Sequence, residues 1–375
     1  MSEKLINPYP VLKISRKALR NNLEVLKKVI SRSDKDVKVL IPVKANAYGF
    51  GISTLLPFFQ EEKIEYLGVA NPYEGEMLRN LGWRHEILNL GGFYRENADD
   101  FFKNKIIPSV TDIWQISLLN ERAKAYNQKA NIQLKLDFGM GRIGFKEESF
   151  HEMITEIKKA ENLKVTGIFI HLPSADSDDM NATRKIIEKF SGGAKYLINE
   201  LNLKENEVLL HAANSYGTLL YPESHFDMIR PGLVFYGYFQ NRKDKEKLEK
   251  KYPIKPALSL WAKPISVRDL KKGDTISYGS TYTVEKENIN AGVFPLGYAD
   301  GILRALSNNI VFEDYPLLGR VTMDQIVLGG VYEKEKYVQI IGEKSPPLEY
   351  WADAANTITY EILTGFGGRL QRELV

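Results

Sequence analysis

A lysine that does chemistry needs an element to hold it and surroundings that favour the loss of its proton. Val39-Leu40-Ile41-Pro42-Val43 is an apolar, β-branched run that reads as a buried strand, and it delivers Lys44 into the turn Ala45-Asn46-Ala47-Tyr48-Gly49. No carboxylate stands beside this lysine in sequence. Two states suit such a residue. It either snorkels its ammonium to water from a strand end or, desolvated, keeps a lowered pKa and is ready to form a Schiff base. Gly49 and Gly51 would let the backbone approach a phosphate closely. Further along, Arg142, His171, His211, Ser215 and Arg230 each fall at or just after the end of a strand-like run. The arginines offer hydrogen-bond donors only, because a guanidinium stays protonated at any accessible pH.

These positions imply the elements beneath them. Val11-Leu12-Lys13-Ile14 alternates as a short strand, and Ser15 is placed to cap a helix running through Lys17 and Leu26. Strand-like segments then recur at 64–70, 86–92, 107–110, 132–137, 163–171, 207–211 and 226–232, separated by mostly helical stretches. Counted from the Lys44 strand there are eight, which predicts a (β/α)8 TIM-like barrel with its active residues at the C-terminal strand ends. The charged run 241–251 reads as a solvated helix or linker and marks a boundary. Short strands joined by turns follow at 257–267, 275–284, 291–296, 316–321 and 337–342, the pattern of a mostly antiparallel β domain. The expected division is therefore a barrel over 15–247 and a β domain over 248–375, joined by residues 1–14.

The segment Val43-Lys44-Ala45-Asn46-Ala47-Tyr48-Gly49 resembles the pyridoxal-phosphate lysine motif of the alanine racemase family, and the likeness recurs over nearly the whole chain. It implies that Lys44 carries pyridoxal 5'-phosphate and that Tyr48, Ser215, Gly232, Leu233 and Tyr360 bind its phosphate. Arg230, in Arg230-Pro231-Gly232-Leu233, is implied to face the pyridine nitrogen. A donor-only partner leaves that nitrogen unprotonated and the ring a weaker electron sink, which favours returning a proton to Cα over decarboxylation or transamination. Inverting a carbon also requires a second base on the opposite face. The resemblance assigns that base to Tyr278, in Thr275-Ile276-Ser277-Tyr278-Gly279, and sets His171 beside it with Arg230 beside the histidine. A histidine held neutral by an arginine can accept the phenol's hydrogen bond and help to ionise it.

The same likeness makes Arg142, in Asp137-Phe138-Gly139-Met140-Gly141-Arg142, the clamp on the substrate carboxylate. Met323 becomes a further substrate contact and Tyr298 a residue of the site entrance. Lys135 matches a position carbamylated in many relatives, and His211 receives no role. The C-terminal Gly365-Phe366-Gly367-Gly368-Arg369-Leu370 departs from the Pro/Arg-containing ending that the family implies, a departure expected to leave the chemistry alone. A homodimer with shared active sites, and D-alanine made for cell-wall peptidoglycan, are implied as well.

Composition agrees with that class and narrows it. At 375 residues, with 43% hydrophobic and 26% charged content, the chain suits a globular protein of about two domains. A net charge of +3, set against 51 basic and 48 acidic residues, gives no support to nucleic-acid or polybasic membrane partners. The absence of cysteine excludes disulfides and thiolate metal sites, and no metal is expected. The N-terminus lacks the apolar core of a signal peptide and no run is long and apolar enough to span a bilayer, so the cytoplasm is expected. Competing readings are a related-fold decarboxylase, which would want a carboxylate where Arg230 stands, and a racemase of another small amino acid such as serine. A non-catalytic pyridoxal-phosphate-binding protein would lack residues 257–375, and a sugar-phosphate barrel would leave the Tyr278 and Met323 segments unexplained.

Overall fold

The computed structural model describes residues 9–31 and 36–375, and these divide into two compact units. One comprises Leu23–Ala47 and Leu56–Phe235; the other takes the described chain up to Asn22, together with Tyr48–Leu55 and Tyr236–Val375.

The first unit is a parallel barrel. Its eight strands are Lys38–Pro42, Tyr66–Val69, Glu86–Asn89, Ser109–Val110, Ala130–Lys135, Leu163–Phe169, Leu209–His211 and Met228–Ile229. Parallel ladders join the eighth strand to the first, the first to the second and the second to the third. Others link the fourth through the seventh. Two seams remain. A parallel bridge between Leu88 and Ile107 closes one, and backbone hydrogen bonds from Asp227 N to Leu210 O and Arg230 N to Ala213 O, both 2.9 Å, close the other. The strands are short and mostly apolar because both faces are covered. Leu40, Leu88 and Met228, on the first, third and eighth strands, form one buried cluster with Ile107, which precedes the fourth. Asparagine and aspartate start the helices between them. Asn71 accepts from Glu74 N ahead of Pro72–Asn80, Asp179 from Asn181 N and Ala182 N ahead of Met180–Glu200, and Asn214 from Gly217 N ahead of Ser215–Leu220.

The second unit is built on two main sheets. One has the order Val338–Ile341, Leu258–Ala262, Val11–Ile14, Gln371–Leu374. Val11–Ile14 runs antiparallel to Leu258–Ala262 and parallel to the C-terminal strand. The other sheet is an antiparallel meander of Ser266–Lys271, Asn288–Phe294 and Ile326–Gly329. Residues 1–8, which the sequence joins to this unit, lie outside the described residues. The charged run forms the helix Arg242–Leu248, capped by Asn241. Ser15 caps the first helix by accepting from Ala18 N at 3.2 Å. Two short helices, Leu348–Ala354 and Thr359–Thr364, and the strands Ile326–Gly329 and Gln371–Leu374 were not legible in the pattern of the sequence. Gln371–Leu374 is polar and half exposed at a sheet edge, so no apolar alternation announces it. Among the described residues no helix is long and apolar enough to cross a membrane.

Candidate active site

Lys44 stands directly after the first barrel strand, where the chain abandons the sheet. Ala45, Asn46, Ala47 and Tyr48 all take the left-handed conformation, with φ of 52°, 54°, 55° and 55°. Each such non-glycine residue costs roughly 1–2 kcal/mol, so a run of them persists only where the surroundings dictate it. Ala47 N closes the turn on Val43 O at 2.7 Å. The run ends at Gly49, whose φ of 81° and close approach to Leu363 O exclude a side chain; a Cβ there would lie 1.9 Å from that oxygen. Backbone geometry at a helix end is thus enough to require glycine at this position, without the phosphate contact that the sequence invites.

The Lys44 side chain keeps exposed surface. The barrel wall around it is nonetheless dense enough to lower its pKa by desolvation, and the nearby charges of Arg142 and Arg230 lower it further, while Glu74 opposes them. The other residues on this barrel rim share that field. Lys135, at the end of the fifth strand, donates from Nζ to Leu90 O at 3.0 Å. Its pKa is lowered to about 7 by burial first, then by Arg142, Arg230 and Lys44. His171, just past the sixth strand, is brought down to about 3 by burial and then by Arg230, so it is neutral at physiological pH. The structure therefore brings Lys44, Lys135, Arg142, His171 and Arg230 within one another's electrostatic reach.

Arg230 is 4% exposed, and burial pulls its pKa to about 9, which still leaves it charged at neutral pH. It donates from Nη1 to His211 Nδ1 at 2.6 Å and from Nη2 to Ile170 O at 2.7 Å and Ala212 O at 3.2 Å. Its hydrogen-bonded histidine is thus His211, for which no role is expected from sequence, and it reaches His171 through charge. Because Arg230 is donor only, His211 Nδ1 must accept. The ring is then neutral with its proton on Nε2, directed to Gln133 Oε1 at 2.8 Å. Phe169 stacks on this histidine at 4.7 Å. The result is a buried relay that fixes the guanidinium without supplying a counter-charge.

Arg142 is carried by a loop built around Asp137. The Asp137 carboxylate accepts from four successive backbone amides, Gly139, Met140, Gly141 and Arg142, at 2.8–3.1 Å. Burial raises its pKa, and these four bonds together outweigh that effect and lower it. Asp137 is a positioning residue that the sequence reading passed over; a carboxylate followed by three glycines in seven residues is the signal that could have revealed it. Ser215 is 2% exposed and its Oγ accepts from Val234 N at 3.4 Å, beside the buried Gly232 and Leu233.

The remaining candidates belong to the other unit. The buried Tyr48 ring lies 5.0 Å from Tyr236 and 5.9 Å from Tyr360, and its pKa is raised by burial and then by Tyr360. Tyr278 opens a one-turn helix after Ser277, whose φ is 64°, and is 74% exposed. Tyr298 and Met323 sit on adjoining loops, tied by Tyr298 N to Thr322 O at 2.9 Å and Ala299 N to Met323 O at 3.1 Å. Below them, buried Asp300 accepts from Gly297 N at 2.8 Å and from Arg369 Nε and Nη2 at 3.1 and 2.7 Å. Arg369 also reaches Asp324 at 2.5 Å. The atypical C-terminal segment therefore supplies the ion pair that locks these two loops together.

As a donor set, the barrel rim carries more positive charge than the carboxylates of Glu74 and Asp137 offset. Asp137 is occupied by its loop amides, and Arg230 faces a neutral ring and two carbonyls. An anionic group bearing a phosphate and an amine-reactive carbonyl fits those residues.

The family model of the alanine racemase N-terminal domain matches residues 14–240, and that of the C-terminal domain matches 257–374. The alanine racemase of Treponema denticola is 34% identical over 370 residues, covering 94% of this chain and 95% of that protein. The crystal structure of alanine racemase from D-cycloserine-producing Streptomyces lavendulae superposes with a TM-score of 0.88 at 28% identity, covering 99% of this chain and 98% of that one. The Bartonella henselae enzyme, whose structure carries covalently bound pyridoxal phosphate, superposes with a TM-score of 0.84 at 24% identity, covering 98% and 99%. Matches of this extent, spanning both the barrel and the β unit, place the chain in the alanine racemase family.

Proposed function

We propose that this protein interconverts L-alanine and D-alanine with pyridoxal 5'-phosphate, using Lys44 and Tyr278 as its two bases. The observation that carries the reading is the Lys44 amine, its pKa lowered, set on a barrel rim with Arg142, Lys135 and Arg230 and little to balance their charge. When bound, the cofactor supplies an electron sink that makes the substrate Cα–H acidic enough to ionise. Lys44 would hold it covalently, and Tyr48, Ser215, Gly232, Leu233 and Tyr360 would hold its phosphate. Arg230 offers only donors to a ring nitrogen, which weakens the sink and disfavours decarboxylation and transamination. Arg142 forks the substrate carboxylate, Met323 adds a contact and Tyr298 lines the entrance.

Lys44 Nζ then exchanges a proton with Cα on one face and Tyr278 Oη on the other. Neutral His171 accepts the phenolic hydrogen bond, since its low pKa leaves a nitrogen lone pair free of a proton. In this reading residues 15–247 form the cofactor-binding barrel and 248–375, with the N-terminal 1–14, the β domain. The enzyme acts in the cytoplasm as a homodimer with shared sites, supplying D-alanine for peptidoglycan. The purified protein should be yellow, and borohydride should fix the cofactor to the peptide containing Lys44. L-alanine should be racemised in preference to L-serine and L-lysine, and Lys44→Ala should cut turnover by at least ~10²-fold. Cofactor fixed to another lysine, or a loaded Lys44 that leaves alanine unchanged, would overturn the reading.

A further inference from the structure

The left-handed turn after Lys44 is held by a side chain from the neighbouring β/α unit. Val43 N still bonds Gly68 O at 2.8 Å, the last rung between the first and second barrel strands. Beyond it both chains turn away and their next amides lose the ladder. Glu74 supplies the missing acceptor to both, with Oε1 taking Ala45 N at 2.7 Å and Oε2 taking Ala70 N at 2.7 Å. One carboxylate thus makes a further rung exactly where no peptide carbonyl is available.

The local sequence shows that this is a diversion. Asn71-Pro72-Tyr73-Glu74 has the form of a capping box, in which a glutamate at the third helical position returns to the amide of its own cap residue. Here only half of the box forms, with Asn71 Oδ1 accepting Glu74 N at 3.0 Å. The carboxylate leaves its helix and goes to the residue after Lys44. We propose that Glu74 is a positioning residue for Lys44, fixing the left-handed turn that aims its amine by bridging the amides of Ala45 and Ala70. The proposal rests on Lys44 being the cofactor lysine. The groups that face this amine are Glu74 from the second β/α unit, Arg142 and Lys135 from the fifth, His171 from the sixth and Arg230 from the eighth. Glu74 is the one of these that raises its pKa.

The test compares wild type, Glu74→Gln and Glu74→Asp as full-length protein freed of cofactor, so that it does not depend on turnover. Amide exchange should show Ala45 and Ala70 protected in wild type, although neither has a backbone partner beyond the ladder. Glu74→Gln keeps the size but turns one acceptor into a donor facing an N–H, and Glu74→Asp keeps the charge but is too short to span both amides. Both should speed exchange at Ala45 and Ala70 by about tenfold or more, with other barrel amides unchanged. In Glu74→Gln the pH profile for acylation of Lys44 should also move to lower pH, which Glu74→Asp should not reproduce in full. Asn71→Ala, which breaks only the cap, should leave the Lys44 profile in place. Fast exchange at Ala45 in wild type, or a Glu74→Gln protein with the wild-type exchange and acylation profile, overturns the proposal. A wild-type protein that passes these tests but takes up no cofactor at Lys44 instead overturns the function proposed above.

Discussion

Lys135 shows how much a residue's role depends on charges that no local pattern reveals. Its Nζ has a single carbonyl partner, and burial first, then three nearby cations, lower its pKa to about 7. Half of the amine is therefore neutral near that pH, whereas an ordinary lysine is almost wholly protonated. A neutral amine can add to carbon dioxide, forming an N–C bond and releasing one proton, and the resulting carbamate would place a negative charge among Lys44, Arg142 and Arg230. That offsets their mutual repulsion and gives the modification a physical purpose. The sign follows from the pKa: protonation below about 7 blocks the addition, and the carbamate should accumulate as pH rises through that value. Carbon-13 NMR with labelled bicarbonate should show one slowly exchanging carbamate signal at pH 8, weakened at pH 6 and absent from Lys135→Arg. A spectrum without that signal at pH 8 would leave Lys135 as a buried amine that tunes its neighbours unmodified.

At the scale of elements, the residues proposed to bear chemistry are far more legible in the sequence than those that hold them. Lys44, Arg142, His171 and Arg230 follow apolar runs, and a run's end can be read from sequence alone. Asp137, Glu74 and Arg369 act on backbone amides or on partners distant in the chain: the glycines after Asp137 are its one signal, Glu74 has the spacing of an ordinary capping box, and nothing in one-dimensional spacing marks Arg369. Arg369 lies in the segment expected to leave the chemistry alone, and its guanidinium makes a bidentate pair with buried Asp300 beneath the loops of Tyr298 and Met323, which makes that expectation testable. Asp300 in turn holds Gly297, where a Cβ would fall 2.2 Å from Met323 O. Arg369→Met should release these loops. The KM for alanine is expected to rise several-fold and the melting temperature to fall, while the yield of cofactor trapped at Lys44 stays as in wild type. Asp300→Asn, which can still accept from Gly297 N, should give the milder defect. Equal KM values in wild type and Arg369→Met would show that the ion pair serves the fold alone.

For the whole molecule, the fold class could be read because eight strand-like runs separated by helical stretches leave few alternatives, whereas the assembly was implied only by the family resemblance. Tyr278 is 74% exposed on its unit, and among the described residues its phenol has no hydrogen-bond partner within that unit. A base that works on Cα has to be kept from bulk water, so the proposed chemistry needs another surface to cover this phenol. In the proposed homodimer that surface belongs to the second chain, so each site combines Lys44 of one copy with Tyr278 of the other. Two inactive proteins decide the matter. Lys44→Ala and Tyr278→Ala are unfolded together, mixed in equal amounts and refolded. Random pairing makes half of the dimers mixed, and in each of these one site joins an intact lysine to an intact tyrosine while the other lacks both. Recovered activity should approach about a quarter of that of refolded wild type. If both bases come from one chain, every site in the mixture lacks one of them, and mixed dimers verified by mass would remain as inactive as their parents.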